Sequence, residues 1–221
     1  MNSAPQEPGR LNDDAEWRYL LREFDRAYRH GPAGGSGKIR AHMKEVRDRL
    51  SASVKTNPRV VESNAQRLPV CAHLHRALDN GLEGAMRGLV RTVEVVAERL
   101  HWRYGYDRLP KALEKKYGFA EILGPQGPVV SGDLTLGLVL FAPQCTYPAH
   151  KHDGITESYI CLSGAASEND SGVYTPGSMI LNLPGHKHRI TTSDHEPVLL
   201  AYAWVGPPGS LAHPEMNFRR K

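Results

Sequence analysis

At 221 residues, 40% of them apolar and 24% charged, the chain has ordinary globular composition and length for one good core, or one core with an appended helical region. No run of about eighteen apolar residues occurs, which excludes a membrane-spanning helix, and the first stretch, MNSAPQEPGRLNDD, lacks the apolar segment of a secretory signal. The net charge of +4 is uneven, with 22 Lys and Arg against 16 Asp and Glu in residues 1–130 and 6 against 8 in residues 131–221, but acids and bases are interleaved without aromatics, which reads as solvated helix faces and not as a nucleic-acid surface.

Residues 1–14 are expected to form a loose tail. Residues 15–29 place Trp17, Leu20, Leu21, Phe24 and Tyr28 at helical spacing, with Asp13 or Asp14 available to cap the start. GPAGGSG at 31–37 predicts a flexible break. A second helix is expected over 38–52, with Ile39, Met43, Val46 and Leu50 on one stripe, and Asn57-Pro58 ends it. Further helices are expected near 69–79 and 83–101, the latter built on Leu89, Val93, Val96 and Leu100. A short one is expected within Leu109–Tyr117, begun by Pro110. After Gly118 the texture changes. Gly and Pro become frequent, and β-rich runs follow at Leu134–Phe141, Tyr159–Leu162, Met179–Leu183 and Val198–Trp204. Short strands with turn signals about every eight to twelve residues predict a sandwich or barrel. The expectation is an α+β chain, with a helical N-terminal region over 1–130 packed on a C-terminal β-barrel over 131–221.

The chemistry gathers in the second half. His150 and His152 are two residues apart, and so are Glu157 and Tyr159; on a strand such pairs share a face. If the two strands are neighbours, and His188 joins them after the Pro184-Gly185 turn, three imidazoles and a carboxylate converge beside a tyrosine. Imidazole with carboxylate suits Zn, Fe, Mn, Co or Ni in the 2+ state. Room left on the ion for water or substrate is the pattern of a catalytic site. His186, two residues from His188, is an alternative ligand. Other patterns are set aside. His73-x-His75 falls in an expected helix, where residues two apart point to nearly opposite sides. GPAGGSGK at 31–38 has Pro32 and Ile39 where a phosphate loop needs Gly and Ser or Thr, and it follows a helix instead of a strand. The three cysteines, Cys71, Cys145 and Cys161, form no paired framework, which predicts a reducing cytoplasmic setting.

The spacing His150-x-His152, Glu157, Gly164, with Gly177 eleven residues before His188, resembles the two motifs of the cupin superfamily. That implies a double-stranded β-helix, or jelly-roll, barrel. Two positions depart from the pattern. Gln144 stands where a glycine is expected six residues before the first His, and Pro184-Gly185 is shifted by one. The fuller pattern is Tyr147-x-x-His150-x-His152, Glu157-x-Tyr159 and His188, carried by YPAHKH, TESYICLSG, GVYTPGSMILNLPGHKH and EPVLLAYAW. It resembles the bacterial cupin-type dimethylsulfoniopropionate (DMSP) lyases, most of all the DddL type, over about residues 135–206.

The resemblance implies a metal-dependent carbon–sulfur lyase. Such an enzyme removes the proton α to the DMSP carboxylate and releases dimethyl sulfide and acrylate by β-elimination. It implies one divalent transition metal (Zn, Fe or Mn) on His150, His152, Glu157 and His188, with Tyr159 as the general base and Tyr147 as a second tyrosine that positions substrate. A sulfonium cation calls for an aromatic face; Trp204 and Tyr202 are the candidates, and one of the two is expected to face inward. The partner is then a small-molecule substrate, with no nucleic acid and no membrane, and a homodimer is compatible with the reading. An Fe(II) cupin dioxygenase and a non-catalytic small-molecule-binding cupin are the alternative functions.

Overall fold

The computed structural model describes residues 9–30, 35–62, 64–106 and 109–214. Helix α1 (Ala15–His30) starts where Asp14 Oδ1 accepts the Trp17 N–H at 3.1 Å, an N-cap that satisfies an otherwise orphaned donor. It buries Trp17, Leu20, Leu21, Phe24, Ala27 and Tyr28 along one face. Ser36 caps α2 (Gly37–Lys55) by accepting from the Ile39 N–H, and α2 buries His42, Met43, Val46 and Leu50. The expected break at 31–37 thus ends in a helix cap; its residues 31–34 lie outside the described part. Then come α3 (Leu74–Leu82), entered through a 3-10 turn at Pro69–His73, and α4 (Arg87–Val96), left through another at Ala97–Arg99. Two short helices are α5 (Lys111–Glu114) and α6 (Pro208–Ala212).

Residues 9–14 are not a tail. Gly9–Arg10 form β1, paired with β2 (Arg59–Val60), and Leu11 is fully buried; residues 1–8 lie outside the described part. The remaining strands are β3 (Trp102–Arg103), β4 (Tyr117–Gly124), β5 (Val129–Val130), β6 (Thr135–Phe141), β7 (Thr146–His150), β8 (Thr156–Ser163), β9 (Ala166–Glu168), β10 (Val173–Tyr174), β11 (Met179–Asn182), β12 (His188–Thr192) and β13 (Val198–Val205). They form two sheets. The larger runs β1-β2-β5-β4-β6-β13-β8-β11, with β3 on β4, and the smaller runs β10-β9-β12-β7. One apolar cluster joins the two sheets from inside, and a second joins the larger sheet to the helices. This is the α+β arrangement, helices on a cupin barrel, that the motifs imply.

Strand β13 shows how the sequence builds these layers. Val198, Leu200, Tyr202 and Trp204 belong to the inner cluster, while Leu199, Ala201, Ala203 and Val205 pack with the helices. Side chains alternate faces, and a strand covered on both sides reads as an unbroken apolar run. β8 alternates in the same way: Glu157, Tyr159 and Cys161 face the barrel interior, and Ile160 and Leu162 face the helices. One long strand was not foreseen. β4 is buried along its whole length and pairs antiparallel with β6. It begins at Tyr117, where the short helix was expected to end, and it lies before residue 131. The larger sheet therefore reaches back across residue 130 through β1, β2, β3, β4 and β5.

Candidate metal centre

His150 ends β7, His188 begins β12, and the two are direct register partners. His152 follows just beyond β7, and Glu157 projects from β8 in the opposite sheet. The cluster therefore closes across the barrel. It is not made between adjacent strands carrying His150/His152 and Glu157/Tyr159, because β7 and β8 belong to different sheets. One donor atom from each of His150, His152, Glu157 and His188 lies within 4.8 Å of the others, and all four residues are buried. His186, the alternative ligand, is exposed and turns its Nδ1 to Asn182 Oδ1 at 3.1 Å.

A bulge completes the inner face of β7. Tyr147 pairs with Ile190 while His150 pairs with His188, so three steps on β7 match two on β12. The extra residue at Pro148-Ala149 brings side chains three apart onto one face. Pro148 is tolerated because β7 is an edge strand. Gln144, at the glycine position of the motif, has φ +53°. That left-handed conformation is what a glycine would supply without strain, so the departure changes the residue and keeps the turn.

The rings are oriented for a cation. His150 Nδ1 lies 3.0 Å from the Pro148 carbonyl oxygen, and His188 Nδ1 lies 3.2 Å from that of His186. A carbonyl only accepts, so each ring carries its hydrogen on Nδ1 and turns a bare Nε2 inward. His188 Nε2 and Glu157 Oε2 approach to 2.9 Å, yet neither atom has a hydrogen-bond partner. His152 Nε2, 3.5 Å from Glu157 Oε1, is also without one. Buried electron-pair donors facing one another are costly unless a positive charge lies among them. The donor set fits a divalent cation.

Two of the four donors, Glu157 and His150, are held in the form that binds a cation. Burial works against charge on Glu157, but His152 and His188 outweigh it and hold the carboxyl well below the usual carboxylate range. Burial, assisted by His188, pushes His150 down to about 3, so this ring is neutral and able to donate its lone pair. For His188 burial acts downward, and the Glu157 carboxylate more than offsets it. Trp204 Nε1–H donates to Glu157 Oε1 at 2.7 Å and fixes the carboxylate from a third side.

Comparison with known proteins follows the same line. The dimethylsulfoniopropionate lyase family model matches residues 42–200. The chain belongs to the dimethylsulfoniopropionate lyase family. A relative from Cereibacter sphaeroides, named as a dimethylsulfoniopropionate lyase of the DddL type, is 55% identical over 208 residues, 94% of this chain and 90% of its own. As a member of this family the chain is a carbon–sulfur lyase. A chain from the crystal structures of the DMSP lyases RdDddP and RnDddQII has a TM-score of 0.71 at 20% identity, covering 93% of this chain and 98% of that one. The DMSP lyase DddQ from Ruegeria pomeroyi has a TM-score of 0.66 at 21% identity, covering 87% and 92%. At such identities these two show a common fold.

In this DMSP-lyase family member, the metal-capable residues His150, His152 and Glu157 line a cavity with Tyr147, Tyr159, Tyr202, Trp204, Tyr117, Phe119 and Val139. The cavity has about 20 Å³ of free space, room for about one water. Both Tyr202 and Trp204 face it, contrary to the expectation of one; residues two apart on a strand share a face. The Tyr147 ring stands edge-on to His150 at 4.7 Å, and the Tyr159 ring lies 6.5 Å from His188. Burial and the Glu157 carboxylate push the Tyr159 hydroxyl well above its ordinary value, and burial with Tyr117 and Tyr106 does so for Tyr147. Tyr117, Phe119 and Val139 escaped the sequence reading. The first two lie on the unforeseen β4, and the large-small alternation Tyr117-Gly118-Phe119-Ala120 was the signal available for them. Cys161 is a packed thiol, with Sγ 3.6 Å from the Ser163 carbonyl oxygen.

Proposed function

We propose that this chain cleaves DMSP to dimethyl sulfide and acrylate, using one divalent transition metal (Zn, Fe or Mn) held by His150, His152, Glu157 and His188. The observation that carries this reading is a narrow buried cavity where His150, His152 and Glu157, with His188 beside them in one cluster, meet two tyrosines, in a chain of the DMSP lyase family. In the reaction the C–H bond α to the carboxylate breaks and its electron pair becomes the C=C bond. The C–S bond breaks with its pair going to sulfur, and one proton is left over. The bound cation supplies Lewis-acid stabilisation of the charge that builds beside the substrate carboxylate, and the positive charge that offsets what burial and Glu157 do to the Tyr159 hydroxyl.

Tyr159, two residues along β8 from Glu157, takes the α-proton on its phenolate oxygen, the ionised form that the cation would favour, and becomes the neutral phenol. Tyr147 borders the same space from the facing sheet and positions the substrate. The aromatic faces of Tyr202 and Trp204, with ring centroids 5.2 Å apart, receive the dimethylsulfonium end by cation–π attraction. Every lining residue is buried; the substrate, larger than the one-water space present, widens it on entry and displaces water, which strengthens each of these interactions. We place the enzyme in the cytoplasm, a setting supported by its three free, buried thiols.

Headspace gas chromatography with DMSP tests the proposal. Metal-loaded protein is expected to release dimethyl sulfide and acrylate in equal amounts. Tyr159→Phe is expected to keep its metal and lose turnover by about 10²–10⁴. Absence of dimethyl sulfide from the metal-loaded wild type overturns the reading; full activity of Tyr159→Phe overturns the base assignment.

A further inference from the structure

Each turnover of the proposed elimination frees one proton inside a cavity with about 20 Å³ of free space. That proton has to reach bulk water before the next cycle. Tyr159, Tyr147 and Tyr117 are only 4%, 3% and 2% exposed, so none of them meets bulk water directly. The Tyr147 hydroxyl, however, lies 2.8 Å from the hydroxyl of Tyr106 and 3.3 Å from that of Tyr117. Tyr106 does not line the metal cavity. It is half-buried on the wall of a separate outer cavity of about 460 Å³, with Arg103, Tyr104, Gln126 and His213 around it. Phe119 and Trp204 line both cavities and so form the partition between them. Phe119 has no exchangeable hydrogen, and the Trp204 N–H is engaged by Glu157. The Tyr147–Tyr106 pair crosses the same boundary with two groups that each accept and donate.

We propose that the Tyr147 and Tyr106 hydroxyls form a relay that carries the product proton from the metal cavity to the outer cavity, with Tyr106 as its exit. The inference rests on the lyase reading and not on which group first takes the proton. The Tyr147 oxygen gains a hydrogen from the cavity side as it passes its own to Tyr106. The Tyr106 oxygen gains that hydrogen as it passes its own to water in the outer cavity. One O–H bond forms and one breaks at each oxygen, and rotation of the two hydroxyls resets the pair. No lasting ion is placed on either buried phenol, which a low-dielectric site penalises. Tyr106 touches no substrate atom; it receives the proton only through Tyr147.

The test is a single turnover of metal-loaded enzyme with DMSP in weak buffer. A pH-indicator dye follows proton release, and chemical quench follows acrylate. In the wild type the two signals are expected in step. Tyr106→Phe keeps the ring and loses the hydroxyl. It is expected to form acrylate at near wild-type rate in the first turnover, with the proton delayed about tenfold. Its steady-state kcat should fall about tenfold while kcat/KM holds, because the slowed step follows the chemistry. Tyr117 is a second phenol within hydrogen-bond distance of Tyr147 and does not line the outer cavity; Tyr117→Phe is expected to keep the two signals together whatever its rate. Tyr106→His, able to accept and donate, is expected to restore the timing. Proton and acrylate in step in Tyr106→Phe overturn the relay. So does an equal lag in Tyr117→Phe, or in Tyr106→His. Wild-type enzyme that forms no acrylate ends the lyase reading instead, so the two failures are distinct.

Discussion

At the scale of single residues, the Trp204–Glu157 contact links two jobs that the sequence reading kept apart. Trp204 was a candidate for the sulfonium, and its ring does face the cavity, but its N–H also holds the carboxylate at 2.7 Å. Removing such a support from a ligand typically costs 10–100-fold in metal affinity. Trp204→Phe, which keeps an aromatic face, is therefore expected to weaken metal binding by ~10-fold or more, measured by chelator competition. Unchanged affinity would show that the contact does not tune the ligand. His150→Ala and His188→Ala remove donors outright, and elemental analysis should find well under one metal per chain in each. The donor set was legible in the sequence because few residue types ligate metals and their order matched a known spacing. Tyr147 beside His150 was legible only as a motif, since residues three apart share a strand face only through the bulge at Pro148. Tyr106 was not legible at all, because a hydroxyl contact 41 positions away in the chain leaves no local pattern.

At the scale of elements, β8 is gripped from behind. Ser158, between Glu157 and Tyr159, turns to the helices, where its hydroxyl lies 2.8 Å from the Tyr28 hydroxyl and 2.8 Å from His42 Nε2. α1 and α2 thus hold the strand that carries the proposed ligand and base. The amphipathic spacing of α1 announced Tyr28 as a core residue, while nothing in the pattern of α2 marked a buried histidine. Burial pushes His42 down to about 4 from an ordinary 6.5. Between those values the unfolded chain binds a proton that the native chain refuses. Stability from this group is therefore complete above about pH 6.5 and is lost as pH falls toward 4, by up to ~3 kcal/mol. His42→Gln keeps a donor for Ser158 and cannot titrate. Urea unfolding at pH 7 and pH 4.5 should show the variant losing about 2 kcal/mol less than the wild type over that interval. Parallel losses in the two proteins would remove His42 from the acid response.

At the scale of the whole molecule, the change of texture after Gly118 suggested a helical region ending at 130 and a barrel beginning at 131. Composition reports what each stretch is made of, and not which sheet it joins, and sheet pairing is where the two halves interlock. β4 supplies Tyr117 and Phe119 to the cavity wall and pairs with β6 along nearly its whole length. The helices cover the outward residues Leu136, Leu138, Leu140, Ile160, Leu162 and Leu199. Exposing six such side chains costs about 1.5–3 kcal/mol each, together comparable with the ~5–15 kcal/mol that holds an entire domain folded. A fragment of residues 131–221 would also lack β4, leaving the edge of β6 unpaired and open to aggregation. Expressed alone, that fragment is expected to be aggregated or to lack cooperative unfolding, and to bind no stoichiometric metal although it contains all four proposed ligands. Size-exclusion chromatography, thermal circular dichroism and metal analysis check this together. A monodisperse fragment that melts cooperatively and takes up one metal would mean that the ligand cluster needs only its own half of the chain, and that the helical layer serves something other than holding the barrel together.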